Sequence, residues 1–220
     1  MNNSAIYVDP EVQGVRNIFD DVLGDYTENH HTKRYLEQLA NRLFSAYESK
    51  SIDIKFIVAH HLQALGLHDI FSPNFSIEHA KLCIAREHSF SDWRAVESST
   101  DRVDPVFESL VDSMLMGDMT AVKNAIKLNP NVVHQKSGYP HQATLLHYTG
   151  SNGVEAYRQV VPMNLAEIVD FLLNSGAAVD TKANLYGGCT AQDLLETSKH
   201  PYESGVIQEV LQVYRVHQAV

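Results

Sequence analysis

Thr144-Leu145-Leu146-His147, then Gly153, then Leu165-Ala166-Glu167-Ile168-Val169-Asp170-Phe171-Leu172-Leu173-Asn174-Ser175-Gly176-Ala177-Ala178-Val179-Asp180 is the stretch on which the fold turns. Leu165, Ile168, Val169, Leu172 and Leu173 follow helical spacing and fall on one face. Gly176 stands just past them, where a helix ends in a left-handed residue that glycine adopts without strain. Upstream, Asp104-Pro105 is a helix-start signal, since Asp caps free N–H groups and Pro suits the first helical position. Phe107, Leu110, Val111, Met114 and Leu115 make the next stripe, which breaks at Gly117, and Val122, Ala125 and Ile126 carry a shorter helix that stops near Asn129-Pro130. Downstream, Thr190-Ala191-Gln192-Asp193-Leu194-Leu195 opens a third unit, closed by a helix bearing Val206, Ile207, Val210, Leu211 and Tyr214. The pattern is three helix pairs in series.

Helical periodicity also rules the first half, and no stretch alternates as a strand does, so an all-α fold is expected. Leu36, Leu39, Ala40, Leu43, Phe44 and Tyr47 share one face; Ile54, Ile57, Val58, His61, Leu62 and Leu65 share another, with Gly66 placed to end that helix. A third helix starts after Ser76 and runs through Ala80, Cys83 and Ile84 towards His88, and a short one follows around Trp93. Val12, Val15, Ile18, Phe19, Val22 and Leu23 suggest a further amphipathic helix at the start. The polar run Ser98-Ser99-Thr100-Asp101 reads as a linker, which divides the chain into a helical domain over 1–98 and a repeat domain over 103–220.

The central stretch resembles the ankyrin repeat, whose pattern is T-P-L-H-x-A, a Gly turn, and then E-I-V-x-x-L-L-x-x-G-A-x-V. Thr144, His147, Gly153, Gly176 and Thr190 are the motif positions that carry over. Leu145 replaces the usual Pro, the first unit lacks T-P-L-H, and the last lacks a closing Gly-Ala, so both end units look like caps. Thr144 and Thr190 lie 46 residues apart, against a typical ankyrin period of roughly 33. The excess is an insert, Glu155–Pro162, between paired helices, with a similar excursion at Ser198–Gly205. The segments 152–159 and 200–206, and the helix-and-tryptophan stretch 84–93 ahead of the repeats, are similar to those of bacterial ankyrin-repeat proteins. Covering most residues from about 34 onward, that likeness implies a scaffold for binding and leaves the partner open.

The chain has 220 residues, 44% of them hydrophobic, which is enough to bury a sizeable core. Its formal charge is -10, and no basic stripe answers a phosphate backbone, so nucleic acid is not an expected partner. No apolar run approaches the roughly 18 residues of a membrane span, and the start has neither a basic nor an apolar leader region. Two cysteines, Cys83 and Cys189, make neither a disulfide framework nor a zinc ribbon, so a reducing cytoplasm is the expected compartment, with delivery into a host cell neither supported nor excluded.

No nucleophile elbow, phosphate loop or dinucleotide fingerprint occurs, so no enzyme, cofactor or metal is expected. Within the ankyrin likeness, His147 is expected to tie neighbouring loops together by hydrogen bonds. His60-His61 has the look of a metal pair, but adjacent helical residues face apart, and His61 lies on the apolar stripe as a packed histidine would. Hairpin tips at 137–142 and 181–186 would present Tyr139, His141 and Tyr186 to a protein partner. Tyr157, Arg158, Gln159, His200 and Glu203 would lie together on the insert surface, as Arg158–Glu203 lacing; the alternative is a small-molecule or metal site, catalytic or not, at these paired inserts or between the N-terminal helices and the stack.

Overall fold

The computed structural model describes residues 5–24, 32–99 and 103–218. Thr100 and Asp101 of the expected linker, and the first four residues, lie outside these. The described chain is mostly helical, as the periodicity predicts, and none of its helices is long and apolar enough to cross a membrane.

The first half packs α1 (Pro10–Phe19), α2 (Thr32–Glu48), α3 (Lys55–Leu65), α4 (Ile77–Glu87) and α5 (Trp93–Ser98). Four of them, α1, α3, α4 and α5, start or stop for a visible reason. Asp9 Oδ1 accepts the Glu11 N–H at 2.8 Å with Pro10 in the first turn, Gly66 ends α3 at φ 67°, and Asp92 Oδ1 takes the Ala95 N–H at 2.9 Å. Ser76 caps α4 as expected, with the His79 ring reaching back to the Ser76 N–H. The helix expected over Val12 to Leu23 is shorter than its periodicity, because α1 tightens into a 3-10 turn at Asp20–Val22.

The second half stacks α6 (Pro105–Leu115) on α7 (Met119–Leu128), the single turn α8 (Leu145–Tyr148) on α9 (Leu165–Asn174), and α10 (Ala191–Thr197) beside α12 (Ile207–Gln218). Asp104 and Asp118 cap the first two helices, and Gly117 makes the turn between them at φ 76°. Past α9, Gly176 takes φ 99°, and Ala177 N–H bonds back to Leu172 O at 3.0 Å, the six-residue closure that satisfies a helix's last carbonyls. Thr144 and Thr190 cap α8 and α10 through reciprocal bonds with His147 and Asp193. Between the pairs, the chain folds back in hairpins closed by single bridges, Lys136 to Thr144 and Ala183 to Cys189.

Two features depart from the expected pattern. A two-residue strand β1 (Ile6–Tyr7) pairs antiparallel with β2 (Val161–Pro162) inside the first insert, with Ile6 opposite Pro162 and Tyr7 opposite Val161. Two residues are too few for hydrophobic alternation to register. The second excursion is not a loop but a helical turn, α11 (Lys199–Glu203). The apolar residues gather in two clusters: α1 to α5 around Leu36, Leu39 and Ile57, and α6 to α12 around Leu146, Ile168 and Leu194. Each borrows from the other half, because Tyr139, Ala156 and Tyr157 sit in the first and Val12 in the second. Burying one such large apolar side chain contributes on the order of 2 kcal/mol, so the halves hold each other through the insert.

Candidate functional site

Helix α6 carries Glu108 and Asp112 one turn apart, and the insert curls into a 3-10 turn at Ala156–Arg158 that lays Arg158 across both. Arg158 Nη1 donates to Glu108 Oε2 at 2.5 Å and Nε to Asp112 Oδ1 at 2.9 Å, while Glu155 Oε1 lies 3.6 Å from Nη1. Ser137 Oγ donates to the other Glu108 oxygen at 2.8 Å. His141 Nδ1 accepts the Ala143 N–H at 3.0 Å, which leaves Nε2 as the proton-bearing nitrogen facing Glu155 Oε1 at 3.3 Å. The guanidinium also stacks 5.4 Å from the Tyr148 ring centre and 5.6 Å from that of Tyr157.

Arg158, Glu108, Glu155 and His141 are all buried, so their charges are settled internally. Burial pushes the Glu108 carboxyl above its ordinary range despite Arg158. Burial pushes Glu155 the same way, but the Arg158 charge and the His141 bond outweigh it and hold that carboxyl down to about 2. Two carboxylates sharing one cation part in this manner. The result is a sealed lock that fastens the insert to α6 and to the hairpin.

Several expected surface residues are therefore interior. Tyr139 and His141 are corrected as partner contacts: both are buried, because their hairpin folds back over the end of α4, with the Tyr139 ring 4.8 Å from His88 and His141 on Glu155. Tyr157 and Arg158 are corrected as insert surface for the same reason. Arg158 and Glu203 do not lace, since Glu203 Oε2 instead accepts the Tyr7 hydroxyl at 2.6 Å. His200 is buried too, and burial lowers its pKa. The five insert residues thus diverge: Tyr157 and Arg158 inward, Gln159 towards a cleft, His200 and Glu203 towards the N-terminal segment. His147 Nδ1 accepts the Thr144 N–H at 3.2 Å; burial lowers its pKa, while the backbone of Cys189 and Thr181, at the base of the next hairpin, pulls the other way.

Of the hairpin-tip set, Tyr186 alone is exposed, at 73%. It stands over an open cleft of about 460 Å³ between the two halves. Phe56, His60 and His61 of α3 and Arg86 and Glu87 of α4 form one wall; residues 152–154 just ahead of the insert, 159 within it and 184–186 of the second hairpin form the other. Tyr186 Oη donates to Asn152 Oδ1 at 3.1 Å, and a Cβ on Gly153 would come within 3.0 Å of the Tyr186 ring, so glycine there permits the ring's approach. His61 Nε2 lies 3.0 Å from Glu87 Oε1, and Glu87 Oε2 accepts the Ala156 N–H at 3.3 Å, which ties the cleft floor to the insert. His61 is thus half-buried against a carboxylate rather than packed in the apolar core.

Chemically, the cleft offers the exposed Arg86 guanidinium, the rings of Phe56 and Tyr186, and side-chain amides at Asn152, Gln159 and Asn184, each of which already donates one N–H within the protein, to Thr197, Val154 and Pro140. Ser89 also lines it, but among the described residues no hydrogen bond joins Ser89 to His61, so the pair lacks the contact that activates a nucleophile. His60 lines the same wall, but among the described residues it does not complete a three-ligand set with His61 and Glu87. Arg86 and Glu87 carried no signal in the sequence beyond their place in the stretch 84–93, Glu155 none beyond opening the insert, and Glu108 none. No family model, curated protein or solved structure matches the chain, and the functional reading rests on this geometry.

Proposed function

We propose that the protein is a non-catalytic binding module built on three ankyrin-like helix pairs, and that it recognises an extended segment of a protein partner in the cleft between α3, α4, the insert and the second hairpin. The observation that carries this reading is the contrast in exposure: Tyr186 stands open over a cleft rich in amides, while the other expected contacts are sealed inside. Amide side chains donate and accept at once, which suits the main chain of a polypeptide, and aromatic and Arg side chains dominate interface energetics. Helix pairs joined by a Gly turn, with hairpins between them, support the ankyrin-like part of the reading. A reducing compartment such as the cytoplasm suits the free thiols Cys83 and Cys189.

Capture with purified protein, beside a Tyr186→Ala, Arg86→Ala variant of unchanged thermal midpoint, tests the assignment. A protein bound by the wild type and lost with the variant supports it. Capture that the variant retains, or a small polar metabolite released from the wild type on denaturation, overturns it in favour of another surface or of a small-molecule site.

A further inference from the structure

The second excursion and the N-terminal segment meet at a place separate from the cleft. Asp9, which caps α1, is buried, and α11 brings His200 and Glu203 to it. One ligand atom from each of these three side chains lies within 4.8 Å of the other two. His200 is 3% exposed, and its Nδ1 is buried with no hydrogen-bond partner among the described residues. An unbonded imidazole nitrogen inside a protein is costly unless something accepts or supplies its missing interaction. The two carboxylates of the cluster are themselves held: Asp9 Oδ1 by the Glu11 N–H, Asp9 Oδ2 by Lys199 Nζ at 3.0 Å, and Glu203 Oε2 by Tyr7.

We propose that Asp9, His200 and Glu203 bind a divalent transition-metal cation, zinc being the best match, which clasps the N-terminal segment to α11. One imidazole and two carboxylates form a nitrogen and oxygen set that suits zinc and its first-row neighbours, and a water completes four-coordination. Tetrahedral bonds of about 2.0–2.2 Å place neighbouring ligand atoms roughly 3.4 Å apart, inside the 4.8 Å that bounds their separation here. The Lys199 ammonium holds the place of the positive charge at Asp9, so the cation enters in competition with it. Three ligands from two ends of the chain make the site a fastening, with Ile6–Tyr7 on β2 already beside it.

Zinc titration by calorimetry into the full chain, freed of metal by chelator, tests this, with circular dichroism confirming that each variant is folded. The site predicts one equivalent bound per chain and a thermal midpoint raised by zinc. His200→Gln and Glu203→Gln should each weaken binding by at least the roughly 10- to 100-fold that even outer partners of a metal site are worth. Lys199→Met, which removes the competing ammonium, should tighten it. Absence of stoichiometric binding overturns the proposal. So does undiminished affinity in His200→Gln, and loss of binding confined to His61→Gln would move the ion to the cleft.

Discussion

On one side of residues 155–162 the polar side chains are sealed beneath Arg158; on the other they stand open around His61 and Tyr186. Both sets lean on the same insert and on the same first half of the chain, and both contain a histidine facing a glutamate, His141 on Glu155 and His61 on Glu87. What separates them is solvent. In the lock, the first pair has no exposed side-chain surface and lies beside the Arg158–Glu108 pair, while Glu155 Oε2 has no hydrogen-bond partner among the described residues. In the cleft, the second pair keeps 14% and 15% of its side-chain surface, and Arg86 beside it is exposed. A buried charge set is answered within the protein, whereas an open one keeps its water.

The comparison breaks most visibly at Arg158. Replacing it by Met leaves two buried carboxylates without their cation, and breaking a buried pair from one side costs about 3–5 kcal/mol. Denaturant midpoints should fall accordingly, and adding Glu108→Gln with Glu155→Gln should recover most of the loss. A cost below about 1 kcal/mol would mean that the lock does not hold the fold.

Acid should separate the regions next. Glu155 is held at about 2 against an ordinary 4.5, so the stability it contributes is complete above pH 4.5 and disappears as pH falls from there towards 2. Glu108 has the opposite sign: its raised pKa favours the fold below 4.5 and that contribution is lost as pH rises through the raised value. His88 and His147, both lowered by burial, contribute above their ordinary 6.5 and lose that contribution as pH falls through their folded values. Midpoints measured from pH 7 to pH 2.5 should therefore decline, and Glu155→Gln should flatten the lower part of the curve. An unchanged slope in that variant would remove Glu155 from the lock. Smallest of all, Tyr186→Ala on the cleft rim should shift stability by no more than about 0.5 kcal/mol, as exposed positions do, in the same denaturant assay. A larger loss would make Tyr186 part of the scaffold.

Local features of the chain were legible from residue types alone. The stripe from Leu165 to Leu173, the caps at Asp104 and Thr190, and the helix ends at Gly66 and Gly176 each depend on neighbours within a turn or two, where spacing speaks directly. The lock was not legible for the converse reason. Glu108 acquires its burial from Arg158, fifty residues on, and from Ser137, and nothing beside it in α6 distinguishes it from an acid on a wet face. Tyr139 and His141 misled because a hairpin tip is ordinarily exposed; here the tip is covered by the insert and by the end of α4, elements whose arrangement no local pattern specifies. The cleft was half legible: Tyr186 and Gln159 stood out, whereas Arg86 and Glu87 needed the packing of one half on the other.

The pairing of Ile6–Tyr7 with Val161–Pro162 also sets an order on how the molecule forms. During synthesis at about 5–20 residues per second, the first strand emerges roughly ten to thirty seconds before its partner exists. Through that interval Val12, whose neighbours belong to the later half, has no site to enter, while α2 to α4 can already collapse on one another. Residues 6–7 are thereby fastened only once residues 155–162 have been made, and the contacts of Tyr7 and Asp9 with Glu203 and Lys199 follow later still.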